Sequence, residues 1–283
     1  MNAKTLYTKM ETDFRLAACR DDWSEMDFNE FITPEYKSRH MGLMTDNAEE
    51  ITHAYTAVFP SPAALQKIYA DGRQNALLFL HHPMQWQMPE LPVFRSIPEE
   101  DLQRLKNQKI SLYNLHTPLD ANGEFSTTVT FAKTLGINIS EEFFEYNGIK
   151  AGIIGWTEHH TPKEMKNHLE SVLGHEAKLY NYGDNMIKDN KVALVAGGGN
   201  DETAYKYLKK QKINLYITGI TNMETGYKPA IAAHRTAQKA KINILTGTHY
   251  STEKFACIKM TEYFQALGIS SEFIQDTPNK SDQ

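Results

Sequence analysis

Seven short apolar runs, most of them separated by stretches with helical periodicity, leave this chain few architectures. They are ITHAYTAVF (51–59), NALLFL (75–80), ISLYNL (110–115), IKAGIIGW (149–156), KVALVAG (191–197), INLYITG (213–219) and INILTG (242–247). Runs of this length read as buried strands, and they fall far short of the ~20 apolar residues of a membrane span. The intervening segments carry helix signals. In SPAALQKIYADG (61–72), Ser61 is placed as N-cap, Pro62 as the first helical residue and Gly72 as the stop. EEDLQRLKNQ (99–108), DETAYKYLKKQ (201–211) and PAIAAHRTAQKAK (229–241) read as further amphipathic helices with charged outer faces. Strand, helix and strand at this spacing predict an α/β fold with largely parallel sheets. Turn chemistry makes residues 126–190 less regular, which suggests a boundary near residue 125. The expected layout is two α/β lobes folding as one compact unit.

Composition narrows the function classes. With 283 residues, 41% hydrophobic, the chain can bury a sizeable core. Its 30 basic and 35 acidic residues are interspersed, so no basic stripe marks a nucleic-acid groove, and nucleic acid is not the expected partner. Cys19 and Cys257 are the only cysteines and form no CxxC pair, which argues against a thiolate metal site and for a reducing compartment. The first residues, MNAKTLYTKM, lack the apolar core of a signal peptide, so a cytoplasmic location is expected.

In parallel α/β sheets ligands bind beyond the carboxyl ends of the strands. Three such ends are unusual here. LLFLHHP places His81 and His82 directly after a strand. In ISLYNLHTPLD, Pro118 argues against a regular helix, so His116 and Asp120 are expected to share a loop. INILTGTHYSTE offers His249 and Glu253 after Gly247. With Ser251 or Thr252 near a helix N-cap, Glu253 would sit in the first turn, where the helix dipole favours a carboxylate. Each piece alone is weak, because a His pair after a strand is usually a turn feature and HxxxD or HxxxE arises by chance. Together they favour a shared site. Imidazoles and carboxylates without thiolates suit Zn, Fe, Mn or Ni without selecting among them, and two such ions ~3.5–4 Å apart can activate a shared water for hydrolysis.

Other features are set aside. His159 and His160 precede a capping box of Thr161 and Glu164 with Pro162 at the first helical position, and read as surface residues. VAGGGNDE matches neither dinucleotide nor P-loop signatures and reads as a tight turn, a phosphate held by its amides being the alternative. Cys257 reads as a small core residue.

LLFLHHPM, HTPLDA and GTHYSTE, in this order, resemble the three signature segments of the Nif-three-like dinuclear-metal family, whose members often carry the name GTP cyclohydrolase I type 2 homologue; HMGLMTDN (40–47) resembles its early Gly-Leu segment. The resemblance runs from about residue 20 to 265. It implies two α/β lobes, with the N- and C-terminal portions combined (lobe I about 1–125 plus 245–283, lobe II about 126–244), facing a cleft with two divalent metal ions held by His81, His82, Asp120, His249 and Glu253. It places His116 beside them as a residue that supports the ligands or transfers protons rather than as a ligand itself. It also implies a hexameric ring. The chain departs from the family after YITG, where an acidic residue is usual: Ile220 stands there, and the next candidates are Glu224 and His234. The function expected is a metal-dependent hydrolase of a phosphate-bearing or nucleotide-like small molecule, with His116 or Glu224 moving protons. The alternative is a non-enzymatic metal-binding ring that serves as a scaffold or regulator.

Overall fold

The computed structural model describes residues 1–87, 93–224 and 228–283. All seven expected strands form, and they are the interior strands of two sheets. In the first sheet, β2 (His53–Ala57), β3 (Ala76–Leu80) and β6 (Ile110–Asn114) run parallel, flanked by β13 (Ser270–Phe273), also parallel, and by β1 (Gly42–Thr45), antiparallel to β6. In the second, β10 (Lys191–Leu194), β11 (Leu215–Thr218) and β12 (Asn243–Thr246) are parallel. On one side β8 (Ile149–Trp156) and β7 (Asn138–Tyr146) continue that sheet antiparallel, and on the other β9 (Lys178–Tyr180) does. β4 (Gln85–Gln87) and β5 (Val93–Arg95) pair antiparallel as a separate two-stranded sheet. The first sheet is therefore largely parallel, as expected, whereas the second is mixed, antiparallel strands flanking its three parallel ones on both sides.

Helices cover both faces of each sheet, which is why the interior strands are buried along nearly their whole length. Successive side chains of β3 point to opposite faces. Leu77 and Phe79 pack with α1 (Ala3–Asp13) and α10 (His249–Ala266). Leu78 and Leu80 pack with α2 (Pro34–Arg39), α3 (Pro62–Asp71) and α4 (Glu99–Asn107). The second sheet repeats the plan. Val192 and Leu194 face α6 (Thr127–Thr134) and α7 (Pro162–Leu173), while Ala193 faces α8 (Glu202–Lys210) and α9 (Lys228–Ala240). The expected caps are in place: Ser61 accepts from Ala64 N ahead of α3, and Thr161 and Glu164 close a reciprocal box on α7. One helix belongs to both cores, since α10 gives Cys257, Met260 and Phe264 to the first and Phe255 to the second. Among the described residues, no helix is long and apolar enough to cross a membrane.

Candidate metal centre

The carboxyl ends of β3, β6 and β12 converge, and the residues that follow them meet in one place. After β3, the backbone N–H groups of His81 and His82 donate to the carbonyls of Ala57 and Val58 (3.1 and 2.9 Å), extending the pairing with β2. Asn114, at the end of β6, donates to the His81 carbonyl at 2.5 Å while accepting from the Tyr36 hydroxyl at 3.0 Å. This buried bridge fixes the His-His turn. His116 caps a single helical turn, α5 (Thr117–Asp120), rather than starting a loop. Pro118 fits because it is the second residue of that turn, where no helical partner exists for its missing N–H. After β12, Thr248 is the N-cap of α10, so Glu253 lies in the second turn and not in the first. Its charge is held by neighbouring imidazoles instead of the helix end.

Glu253 is the hub. Its Oε2 lies 3.0 Å from His82 Nε2, and its Oε1 lies 3.3 Å from His249 Nε2 and 3.7 Å from His81 Nε2. Asp120 places Oδ1 3.5 Å from His81 Nε2 and Oδ2 3.6 Å from His116 Nε2, and it accepts a hydrogen bond from Thr127 at 2.8 Å. Three overlapping groups result, each with one donor atom per residue and all donor atoms within 4.8 Å: His81, Asp120 and Glu253; His82, His249 and Glu253; and His81, His82 and His116. The structure thus brings all six sequence-predicted residues together. It also places His116 among atoms that could themselves hold a metal ion.

The donor set fits a cation. His81 Nδ1 faces the Leu115 carbonyl at 3.0 Å, which can only accept, so the ring donates there and turns Nε2 inward. That Nε2 is buried without a hydrogen-bond partner, as are Nδ1 of His82 and of His249. Burial alone would lower the His81 pKa, but Asp120 and Glu253 outweigh it and push the ring up to about 9. A proton on His81 thus stands where a metal ion would relieve the same crowding of carboxylates. Burial drives His82 well below the usual imidazole range, against the opposite pull of the Glu253 carboxylate. Burial opposes ionisation of Glu253, yet His249, His82 and His81 together hold its carboxyl well below the usual range. Carbonyl-anchored imidazoles of this kind recur around bound metals.

Aromatic rings brace the cluster. His82 lies face-on to Phe59 and Phe94, with centroids 4.7 and 5.3 Å away, and Trp86 meets His249 edge-on at 4.7 Å. Above the cluster opens a cavity of about 580 Å3 walled by Trp23, Trp86, Phe94, Phe144 and Tyr146. Phe144 and Tyr146 come from β7 of the second sheet, and Gly198, Gly199 and Asn200, which follow β10 of the same sheet, also line the cavity.

The Duf34/NIF3 (NGG1p interacting factor 3) family profile matches residues 28–280. The chain belongs to this family. A Duf34/NIF3 relative from Pyrococcus horikoshii, named GTP cyclohydrolase 1 type 2 homolog, is 29% identical over 242 residues, covering 83% of this chain and 88% of its own. One of the same name from Archaeoglobus fulgidus is 28% identical over 240 residues, covering 84% and 89%. Among solved structures, the protein ybgI, described as of unknown function, superposes with a TM-score of 0.75 at 22% identity over 99% of this chain and 100% of its own. Reduced HcgD from Methanocaldococcus jannaschii superposes with a TM-score of 0.67 at 20% identity over 98% of each chain. These structures share the two-lobed α/β fold.

Other expectations for this Duf34/NIF3 chain resolve as follows. Ile220 lines the cavity, whereas Glu224 is exposed and is not among the described lining residues. His234 is buried, bonded to the Tyr182 hydroxyl and the Thr221 carbonyl. His160 is exposed beside Asn190, and the His159 ring rests on His168. Sequence reasoning missed three contributors. Asp21 bonds His116, Asp282 accepts from Trp86 Nε1 and the His249 N–H, and Gly197, set aside as part of a turn, lies against Glu253. Only the glycine run carried a local signal.

Proposed function

We propose that the chain holds two divalent transition-metal ions, one against His81, Asp120 and Glu253 and the other against His82, His249 and Glu253, and hydrolyses a phosphate-bearing or nucleotide-like small molecule with them. The observation that carries this reading is the placement of Glu253, whose two carboxylate oxygens face different imidazoles on the floor of an open cavity. Zn, Fe, Mn and Ni all suit the donor set. Bound divalent ions supply Lewis acidity and acidify water.

The chain's own residues supply the rest. His116 Nε2 faces the cluster and is the group placed to take up or return a proton, its Nδ1 being held by Asp21. Thr127 keeps one oxygen of Asp120 in place. Trp23, Phe94 and Tyr146 line the cavity with aromatic surface suited to a flat ring, and Gly198 and Gly199 line it too, where backbone amides suit phosphate oxygens. Ring opening of GTP is one candidate reaction, suggested by the relatives' names. We place the protein in the cytoplasm and, from the resemblance, in a hexameric ring, which a native mass measurement tests.

The first test is elemental analysis of tag-free protein purified without added metal, alongside Glu253→Ala and His82→Ala. About two transition-metal equivalents per chain, reduced in both variants, are expected. No metal, and none taken up from Zn, Mn or Fe, overturns the reading. Screening phosphate esters and nucleotides with His116→Ala then separates a hydrolase, which loses turnover, from a metal-binding scaffold, which has none.

A further inference from the structure

Residues 16–27 precede the stretch that the family profile matches, yet this segment reaches the metal cluster. It is anchored at several points: the Cys19 N–H donates to the Leu16 carbonyl, the Trp23 N–H to His40 Nδ1 at 2.9 Å, and the Asp27 N–H to the Ser96 hydroxyl at 2.7 Å. Between these anchors the Trp23 ring stands edge-on to His116, His82 and Phe94, with centroids 4.9, 5.9 and 5.0 Å away. Beside it the Asp21 carboxylate is only 2% exposed. Both Asp21 oxygens lie 3.1 Å from His116 Nδ1, and Oδ2 also accepts the Thr117 N–H at 3.0 Å.

Resting on the metal-centre reading above, we propose that Asp21 is a positioning residue of the site, setting the tautomer and orientation of His116 and anchoring the turn that presents Asp120. A carboxylate only accepts, so the His116 ring donates from Nδ1 to Asp21 and turns its Nε2 lone pair toward Asp120, His81 and His82. The bond to Thr117 N fixes the first residue of α5, whose last residue is Asp120. One side chain from outside the matched residues therefore holds two members of the cluster. Carboxylate partners of metal-facing histidines have this effect elsewhere, and losing one typically costs 10–100-fold in metal affinity.

Two substitutions separate the parts of the proposal. In Asp21→Asn the amide oxygen can keep the Thr117 N–H, but an NH2 group replaces the second oxygen 3.1 Å from His116 Nδ1 and the negative charge is lost, so the hold on the ring is weakened. Asp21→Ala removes both contacts. Asp27→Asn, an exposed neighbour on the same segment, is the control. The measurements are Co2+ affinity by chelator competition, the visible absorption of the Co2+ protein, and a crystal structure of each protein without metal. Expected are a loss of about ten-fold or more in affinity and an altered Co2+ spectrum in Asp21→Asn and Asp21→Ala, with Asp27→Asn like the parent. The His116 ring should be displaced in metal-free Asp21→Ala. Parental affinity and spectrum in both variants overturn the proposal, as does an unmoved ring. If the parent protein itself takes up no metal, the hydrolase reading falls, and the ring position in metal-free Asp21→Ala still decides whether Asp21 positions His116.

Discussion

At the scale of single residues, Glu253 and Gly197 define each other. Gly197 has φ +62, and a Cβ built there would stand 1.8 Å from Glu253 Oε1. Gly197→Ala is therefore expected to displace the carboxylate and to lose metal, at a further cost of about 1–2 kcal/mol for the left-handed backbone. Elemental analysis together with denaturant unfolding checks both effects. Glu253→Gln keeps the shape but only one acceptor oxygen, and it is expected to retain at most one of the two ions in the same assay. The clustered histidines and acids were legible because they stand just past the ends of recognisable strand-like runs. Asp21 was not, since its partner lies 95 residues away and nothing local distinguishes it from Asp22. Gly197 was visible as a turn glycine, but the side chain that it makes room for comes from α10.

At the scale of elements, the division between what could be read and what could not follows burial. The interior strands are buried on both faces and rich in apolar residues, and all were foreseen. The edges β1, β7, β9 and β13 were not: β7, NISEEFFEY, has only Phe143 buried, and its charged outer positions erase the alternation that marks a strand. The start of α10 was misplaced for a related reason. Ser251 does belong to the cap, but as the third helical residue, its hydroxyl accepting from the Thr248 N–H at 2.9 Å while Thr248 accepts from the Ser251 N–H at 3.1 Å. Two caps of the same chemistry thus invite a comparison. Thr161→Ala, in the exposed box of α7, is expected to cost about 1 kcal/mol in denaturant unfolding and to leave metal content unchanged. Thr248→Ala sits in a buried box that sets the pitch of His249 and Glu253, and it is expected to lower both stability and metal content.

At the scale of the whole molecule, the site links both sheets, so metal should be felt globally. An ion present at 100 times its Kd adds about 2.7 kcal/mol, and chelation is expected to lower Tm by on the order of 5 °C. Calorimetry with and without chelator measures this. Two of the three tryptophans, Trp23 and Trp86, pack against site histidines, while Trp156 is 43% exposed. Metal addition is expected to change the emission of the parent protein and not that of a Trp23→Phe, Trp86→Phe double variant. The order of the ligands along the chain adds a constraint on timing. During synthesis His81, His82, His116 and Asp120 leave the ribosome more than a hundred residues before His249 and Glu253. A nascent chain offers an ion only part of its shell, and the carboxylate shared by both halves of the centre comes last. On the two-ion reading, tight loading is expected to wait until the segments that carry both sets of residues have emerged and packed together, so that bound metal would mark molecules in which the two sheets have met.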